Sequence, residues 1–429
     1  MRDIPQDPAL DASLALLEEG YRFIGDRCDR FGSDIFAARI MLTKAIFLRG
    51  AEAASMFYTP GRFTRVGAMP QTVLRLLQDK GSVQMLDGAA HRHRRAAFLS
   101  LMDEPSLRRA TTLLEQHWRG ALPGWSAAGE IVLLEAMSPV LTRTACDWAG
   151  LRLPEEEIQP LATELAAMVS EAGRIGPRQW RALRLRRRAE RRVAKAMLAQ
   201  RASGDVAPGS ALEAFLQHRD LKGEPLPPEV LAVEMLNILR PILAVGRYMV
   251  FAALALHDHP AWRARFASGD ETELPHFVQE VRRFYPFFPA IGGRVRECFT
   301  WRGHDFTAGD WVLLDLYGTN HDARLWPEPE RFRPERFRNW SGDANSLIPQ
   351  GAGDRIAGHR CPGEDLTILL VMQAVRLLSR MRCVLPPQDL SIDLATMPAS
   401  PASGLVLGEI SPELPPLRLT LHAGAHNAA

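Results

Sequence analysis

Cys361 is the residue on which chemistry could turn. It stands in Gly358-His359-Arg360-Cys361-Pro362-Gly363-Glu364, just ahead of an apolar stretch with helical spacing and behind the loop Ile348-Pro349-Gln350-Gly351-Ala352-Gly353. Free N–H groups at a helix start favour a thiolate. Gly351, Gly353 and Gly358 allow backbone angles closed to other residues and let the loop approach a flat ligand. A thiolate so placed is what a haem iron takes as an axial ligand. A lone buried cysteine is also ordinary packing, and the 353–358 segment imitates half a phosphate loop. The phosphate reading fails because Gly358 is followed by His359-Arg360 and not by Lys-Ser/Thr, which leaves no group for terminal phosphates or magnesium. A metal thiolate is the specific reading.

A second candidate is Arg240-Pro241, set in a long apolar stretch over 229–256 that reads as a helix. Pro241 removes a backbone donor and crowds the carbonyl of Asn237, so a kink is expected there. Arg240 among Ile238, Leu239, Ile242 and Leu243 is costly to bury without an anion, and a guanidinium holds a carboxylate through two parallel hydrogen bonds. The bland alternatives are a structural acid such as Glu234, or solvent. Arg247, two turns onward, competes for the role. On another helix Glu280 and Arg283 share a face. With Arg336 of Pro334-Glu335-Arg336-Phe337 they form a candidate buried cluster that pins a meander near the cysteine loop. His91 and Arg95, four apart, can present two cations from one helical face.

These residues need a scaffold, and the pattern supplies a mostly helical one. Helices are predicted at 50–57, 71–79, 90–101, 105–121, 155–173, 178–201, 210–217, 228–257, 271–285 and 364–381. A hairpin is expected over 36–40 and 44–48, and strand-like pieces at 311–316, 404–407 and 417–421 predict a small β region. The fold class is therefore mainly α with some β. The connections 202–210 and 221–228 are too short to separate domains, so residues 1–429 read as a single large domain.

Composition removes several classes of function. Lys+Arg of 52 against Asp+Glu of 50 gives a net charge of +2, so no global field draws the chain to nucleic acid. The basic stretch 181–192, interleaved with Leu183, Leu185 and Ala189, reads as the solvated face of a helix. Five scattered cysteines without a C-x-x-C pair exclude a disulfide framework or zinc site. Acidic residues crowd the first thirty positions, and no uncharged stretch approaches about twenty residues. Cytoplasmic localisation without a membrane anchor is expected.

With these pieces in order, the chain resembles the cytochrome P-450 superfamily along essentially its whole length, through Glu280-x-x-Arg283, Pro334-Glu335-Arg336-Phe337 and the Cys361 loop. The usual loop has a Phe seven residues before the cysteine and an Arg two before it; here Asp354 and His359 stand there. The longer Pro-Gln-Gly loop ending in His-Arg-Cys-Pro-Gly-Glu, together with Arg240-Pro241, resembles the bacterial fatty-acid peroxygenase branch.

The resemblance implies haem b ligated by Cys361, with His91, Arg95, Arg294, Gly351 and His359 around it. It implies hydrogen peroxide as oxidant, with no redox partner required. A long-chain fatty acid is the implied substrate, its carboxylate held by Arg240 beside Pro241 and its chain bounded by Phe287. The stretch 239–244 lacks the acid and Thr that ordinary relatives use for proton delivery. The substrate carboxylate would take that role, moving a proton from one oxygen of the peroxide to the other. Hydroxylation at the α or β carbon follows, with decarboxylation to terminal alkenes as a side reaction; Gln84, where the branch carries Gln or His, tilts the balance toward hydroxylation. Two alternatives are a reductase- and dioxygen-dependent monooxygenase and a non-enzymatic haem-based fatty-acid binding or sensing protein.

Overall fold

The computed structural model describes residues 3–79 and 81–414; the strand expected at 417–421 lies outside them. The site depends on helices α1 (Ser13–Glu19), α2 (Gln71–Leu77), α3 (Gly88–Leu99), α4 (Leu133–Ala149), α5 (Glu155–Ser170), α6 (Pro177–Ser203), α7 (Pro228–Asp258), α8 (Leu274–Phe284) and α9 (Glu364–Arg380). Strands β1 (Ile35–Ile40), β2 (Thr43–Leu48), β3 (Phe63–Thr64), β4 (Ala290–Val295) and β5 (Trp311–Asp315) form one sheet in the order β1-β2-β5-β4-β3. Within it β2 and β5 run parallel and the other neighbours antiparallel. Two short ladders, Glu130–Val132 with Val406–Gly408 and Phe299–Trp301 with His304–Phe306, complete the β content named here.

The spine is α7, apolar on nearly every face and buried almost throughout, as a helix in the centre of a large core must be. It packs on α4, α6, α9 and α5. Pro241 lies inside it, yet the helix runs on without interruption to Asp258. Length and hydropathy alone would let α7 cross a membrane, but 78% of its most apolar window is buried inside the protein.

Helix α4 is absent from the predicted set. Ser138-Pro139 reads as a breaker, but Met137, Val140, Leu141, Thr144, Ala145 and Trp148 form a buried stripe at helical spacing. Its packing on α7 outweighs the missing proline donor. The two helices approach so closely at Gly246 that a Cβ there would stand 2.9 Å from Leu141 Cδ1. Strand β4 escapes prediction because Gly292-Gly293 carries no strand propensity. A Cβ at Gly292 would lie 2.1 Å from the carbonyl oxygen of Ala68, so only glycine lets these backbones meet.

Candidate functional site

The cysteine loop is built around two buried charge networks. On α8, Glu280 receives Arg283 at 2.7 and 2.8 Å and Arg336 at 3.2 Å, and it also accepts the backbone N–H of Arg333 at 2.7 Å. The structure thus brings Glu280, Arg283 and Arg336 together and ties the meander to α8. One residue away, Arg282 reaches the opposite direction, to Glu364 at the start of α9, and Glu364 also holds Arg360 Nε at 2.6 Å. Arg282 Nη2 donates to Gln350 Oε1 at 3.0 Å, and the Gln350 amide nitrogen in turn lies 3.7 Å from Cys361 Sγ and 3.1 Å from Thr367 Oγ1. Backbone closes the same circle, with the Cys361 N–H donating to the Gln350 carbonyl at 3.2 Å.

Gly351 and Gly353 adopt φ of 98° and 72°, and a Cβ on either would collide with Tyr58. Gly358 does not share that left-handed conformation; its constraint is crowding, since a Cβ would stand 2.5 Å from the Asp354 carbonyl. Asp354, where the superfamily's usual Phe would be, accepts the N–H groups of Ile356 and Ala357 at 2.6 and 2.7 Å and so shapes the turn itself.

Without a metal, burial outweighs the helix start at Cys361. Burial and the nearby Glu364 carboxylate push the thiol up to about 11, against the opposing pull of the Gly363 N–H, Arg95 and Arg282. Desolvation wins, and a metal cation must displace the proton. Cys361 as a residue keeps partial accessible surface.

Beside it lies a cluster of basic side chains, the buried Arg65, His91 and Arg95 with the half-buried His359. His91 and Arg95 share a face of α3, and His91 stacks on His359 with ring centroids 4.0 Å apart. Arg95 clasps the loop, donating to the carbonyls of Arg355, Ile356 and Arg360. Arg65, which the sequence reading passes over, completes the group. It is buried over the rings of Phe57 and Tyr58 and donates to the Gly292 carbonyl at 2.6 Å.

Burial and mutual repulsion hold His91 down to about 4 and His359 to about 2, and burial lowers Arg95 and Arg65 as well. Asp87 and Asp354 offset this field in part, but Asp87 bonds Thr64 and Asp354 faces its own turn. Such a cluster suits an anionic ligand, and the two propionates of a haem beside the Cys361 sulfur match it. Arg294 does not join the cluster. It is half-buried over the Trp311 ring and donates to the carbonyls of Gly67 and Gly309.

Across from the loop, α7 carries Arg240, 5% exposed. Its guanidinium donates to Asn237 Oδ1 at 3.0 Å and to the Leu76 carbonyl at 3.3 Å. No carboxylate is among these partners, and burial together with the charge of Arg186 lowers its pKa to about 9. Glu234, the structural acid considered from sequence, pairs with Arg94 at 2.8 Å instead. Asn237 links the groups, donating to Glu234 Oε2 at 3.0 Å and to Gln84 Oε1 at 3.2 Å. Gln84 thereby sits against α7 on the 3-10 turn Val83–Met85. Arg247 points elsewhere, toward the Ala399 carbonyl at 3.2 Å.

Pro241 and Ala244 keep accessible surface although the residues around them on α7 are buried. Tyr248, on the same face, stacks against Phe287 at 4.2 Å. The face of α7 that carries Pro241 and Ala244 is therefore bounded by an aromatic wall.

The arginine-rich stretch on α6 is not wholly solvated either. Arg186 is buried, paired with Glu190 at 2.7 Å and Asp79 at 3.2 Å, and donates to the same Leu76 carbonyl at 2.7 Å. Its place on the apolar stripe Ala182, Arg186, Ala189, Val193 and Met197 is the signal that could have found it.

Residues 273–398 match the family model for cytochrome P-450. Cytochrome P450SP alpha, in complex with (R)-ibuprophen, superposes with a TM-score of 0.91 at 44% identity, over 94% of this chain and 99% of that one. Cytochrome P450EX alpha with myristic acid gives a TM-score of 0.91 at 40% identity, over 96% and 100%. A variant of cytochrome P-450 OleT in complex with arachidonic acid gives 0.91 at 30%, over 96% and 99%. Curated relatives match over shorter stretches. Rhazimal synthase of Alstonia scholaris is 39% identical over 90 residues, and the sarpagan bridge enzyme of Gelsemium sempervirens 37% over 91; each match spans 17% of that protein and 20% of this chain. This chain belongs to the cytochrome P-450 superfamily, a haem-thiolate family, in its bacterial fatty-acid peroxygenase branch.

Proposed function

We propose that the chain, as one haem-thiolate domain, is a hydrogen-peroxide-dependent hydroxylase of long-chain fatty acids, acting at the α or β carbon with minor decarboxylation to terminal alkenes. The observation that carries this reading is Arg240, a guanidinium buried in the core with a carbonyl and an amide for partners and no carboxylate. The complexes of P450EX alpha with myristic acid and of OleT with arachidonic acid support a fatty acid as its counterion.

Haem, when bound, would supply the oxidising chemistry; Cys361 would hold it through its sulfur, and Arg65, His91, Arg95 and His359 would hold its propionates. Arg240 holds the substrate carboxylate ionised and fixes its direction through the fork of Nη1 and Nη2. Asn237 and Leu76 set the angle of that fork. Residues 236–244 contain no acid and no hydroxyl side chain, so they hold no proton shuttle. The carboxylate on Arg240 supplies one, accepting a proton from the peroxide and returning it to the departing oxygen. Gln84 offers only an amide at this face, unable to release a proton near neutral pH. Tethering the head group at Arg240 also presents the carbons nearest the carboxylate.

The test is turnover of lauric to stearic acid by purified protein with hydrogen peroxide and no reductase. The expected products are 2- and 3-hydroxy acids; turnover only with a reductase and dioxygen would overturn the peroxide reading.

A further inference from the structure

The tip of the β1–β2 hairpin is built against its local preference. Ile40 pairs with Thr43, so Met41 and Leu42 form a two-residue loop, with φ of 50° and 60°. A two-residue turn with both φ positive is type I′, whose favoured sequence is Asn-Gly, and large apolar side chains are strained in that region. The turn is held by α1 and its approach, where Ser13 Oγ accepts the Met41 N–H at 2.7 Å and Asp11 accepts the Leu42 N–H. The side chains so constrained face outward, Met41 58% and Leu42 71% exposed.

Helix α1 extends the same surface. Leu14 and Leu17, one turn apart, are 67% and 53% exposed, and Leu10 precedes them. Arg39 and Lys44 stand directly opposite each other across the ladder at the base of the tip, both exposed and with no ion pair among the described residues. Of the acids nearby, Asp11 is engaged by the N–H groups of Ser13 and Leu42, Glu19 pairs with Arg27, and Glu18 is exposed.

We propose that this apolar tip with its cationic base docks on an anionic lipid bilayer. Met41, Leu42 and the leucines of α1 enter the boundary between head groups and acyl chains, while Arg39 and Lys44 meet lipid phosphates. A second copy of the chain fits less well, because a two-fold pairing through the tip would set these cations against their own copies. The inference is separate from the proposed chemistry, and it gives the protein direct access to a phase in which fatty acids dissolve.

The experiment is co-sedimentation of the full-length haem-loaded protein with vesicles of equal parts phosphatidylglycerol and phosphatidylcholine, and with vesicles of phosphatidylcholine alone. Binding to the anionic vesicles should be at least about ten-fold tighter and should weaken with salt. Met41→Asn with Leu42→Gly installs the preferred turn, so its melting temperature should not fall, while its vesicle affinity should drop at least about ten-fold. Arg39→Glu with Lys44→Glu should lose the preference for anionic lipid. Hydroxylation of dispersed fatty acid should remain at the wild-type rate in both variants, which separates failure of docking from failure of the proposed activity. The proposal is overturned if wild-type protein does not sediment with anionic vesicles, or if the Asn-Gly variant binds them as well as wild type. Dimerisation without vesicle binding, abolished by the same variant, would assign the surface to self-association and overturn it equally.

Discussion

Glu234 and Arg94 lie 2.8 Å apart in the interior, so the acid one helical turn from Asn237 is already neutralised when Arg240 reaches the same asparagine. The site keeps its cation available by occupying the neighbouring carboxylate with another one.

Arg94→Leu should therefore act on substrate binding through Glu234. Breaking one side of a buried pair costs about 3–5 kcal/mol of stability, and the freed carboxylate would draw Arg240 through Asn237. We expect a lower melting temperature and a KM for long-chain acids raised about ten-fold. Adding Glu234→Gln should recover most of both losses; a double variant no better than the single one would refute the coupling.

Arg240→Ala should leave haem content unchanged and reduce peroxide-driven turnover of long-chain acids about a hundred-fold or more, equivalent to roughly 3 kcal/mol of transition-state stabilisation. Arg240→Lys keeps the charge but loses the planar fork, and an intermediate rate is expected. Wild-type turnover in the alanine variant would remove Arg240 as the anchor.

Arg65→Met should have opposite effects on the two forms of the protein. Removing a guanidinium whose burial costs desolvation should raise the melting temperature of the haem-free chain. The same change should speed haem loss to a scavenging globin about ten-fold, because a charge-assisted contact to a propionate disappears. A parallel fall in both measures would show Arg65 to be a packing residue only.

Gln350→Leu removes the amide donor 3.7 Å from the Cys361 sulfur while keeping the side chain similar in size. A less hydrogen-bonded thiolate donates more strongly, so the haem reduction potential should fall, on the order of tens of millivolts. Spectroelectrochemical titration of wild type and variant measures this directly, and equal potentials would rule out the contact.

Asp315 provides the pH-dependent case. It accepts the Gly318 N–H at 2.7 Å, and burial raises its pKa to about 7. A raised carboxyl favours folding fully below its unfolded value, and that contribution is lost as pH rises through about 7. Asp315→Asn should accordingly be more stable than wild type at pH 8 by roughly 2–4 kcal/mol, with the advantage vanishing near pH 4. Denaturant titrations at the two values check the sign.

The residues that resemble the family were legible because they lie in short, ordered segments. Cys361 in its glycine loop, Arg240-Pro241 and the Glu280-x-x-Arg283 helix can be read one segment at a time. What escaped depends on packing between segments. Arg65 follows a two-residue strand with no periodic signal, and its burial comes from Phe57, Tyr58 and the close approach at Gly292. Helix α4 was hidden by Pro139, which its buried stripe tolerates. The desolvation of Cys361 escaped because a helix start is visible in sequence, whereas burial is a property of the folded surroundings. The longer helices followed from apolar spacing, one of them running seven residues past its expected end, whereas Ser13–Glu19, Phe23–Phe31 and Pro260–Ala267 went unpredicted.

The carbonyl of Leu76, at the end of α2, accepts from two guanidiniums at once, one from α6 and one from α7. Lone carbonyls at a helix terminus attract positive charge, and here the attraction makes a mechanical joint. A long amphipathic rod on the periphery is thereby geared to Arg240, the proposed anchor, in the interior. Engineers wishing to alter which acids the enzyme accepts could turn that gear from outside, by changing Arg186 or its partners, without touching any atom that meets the guest.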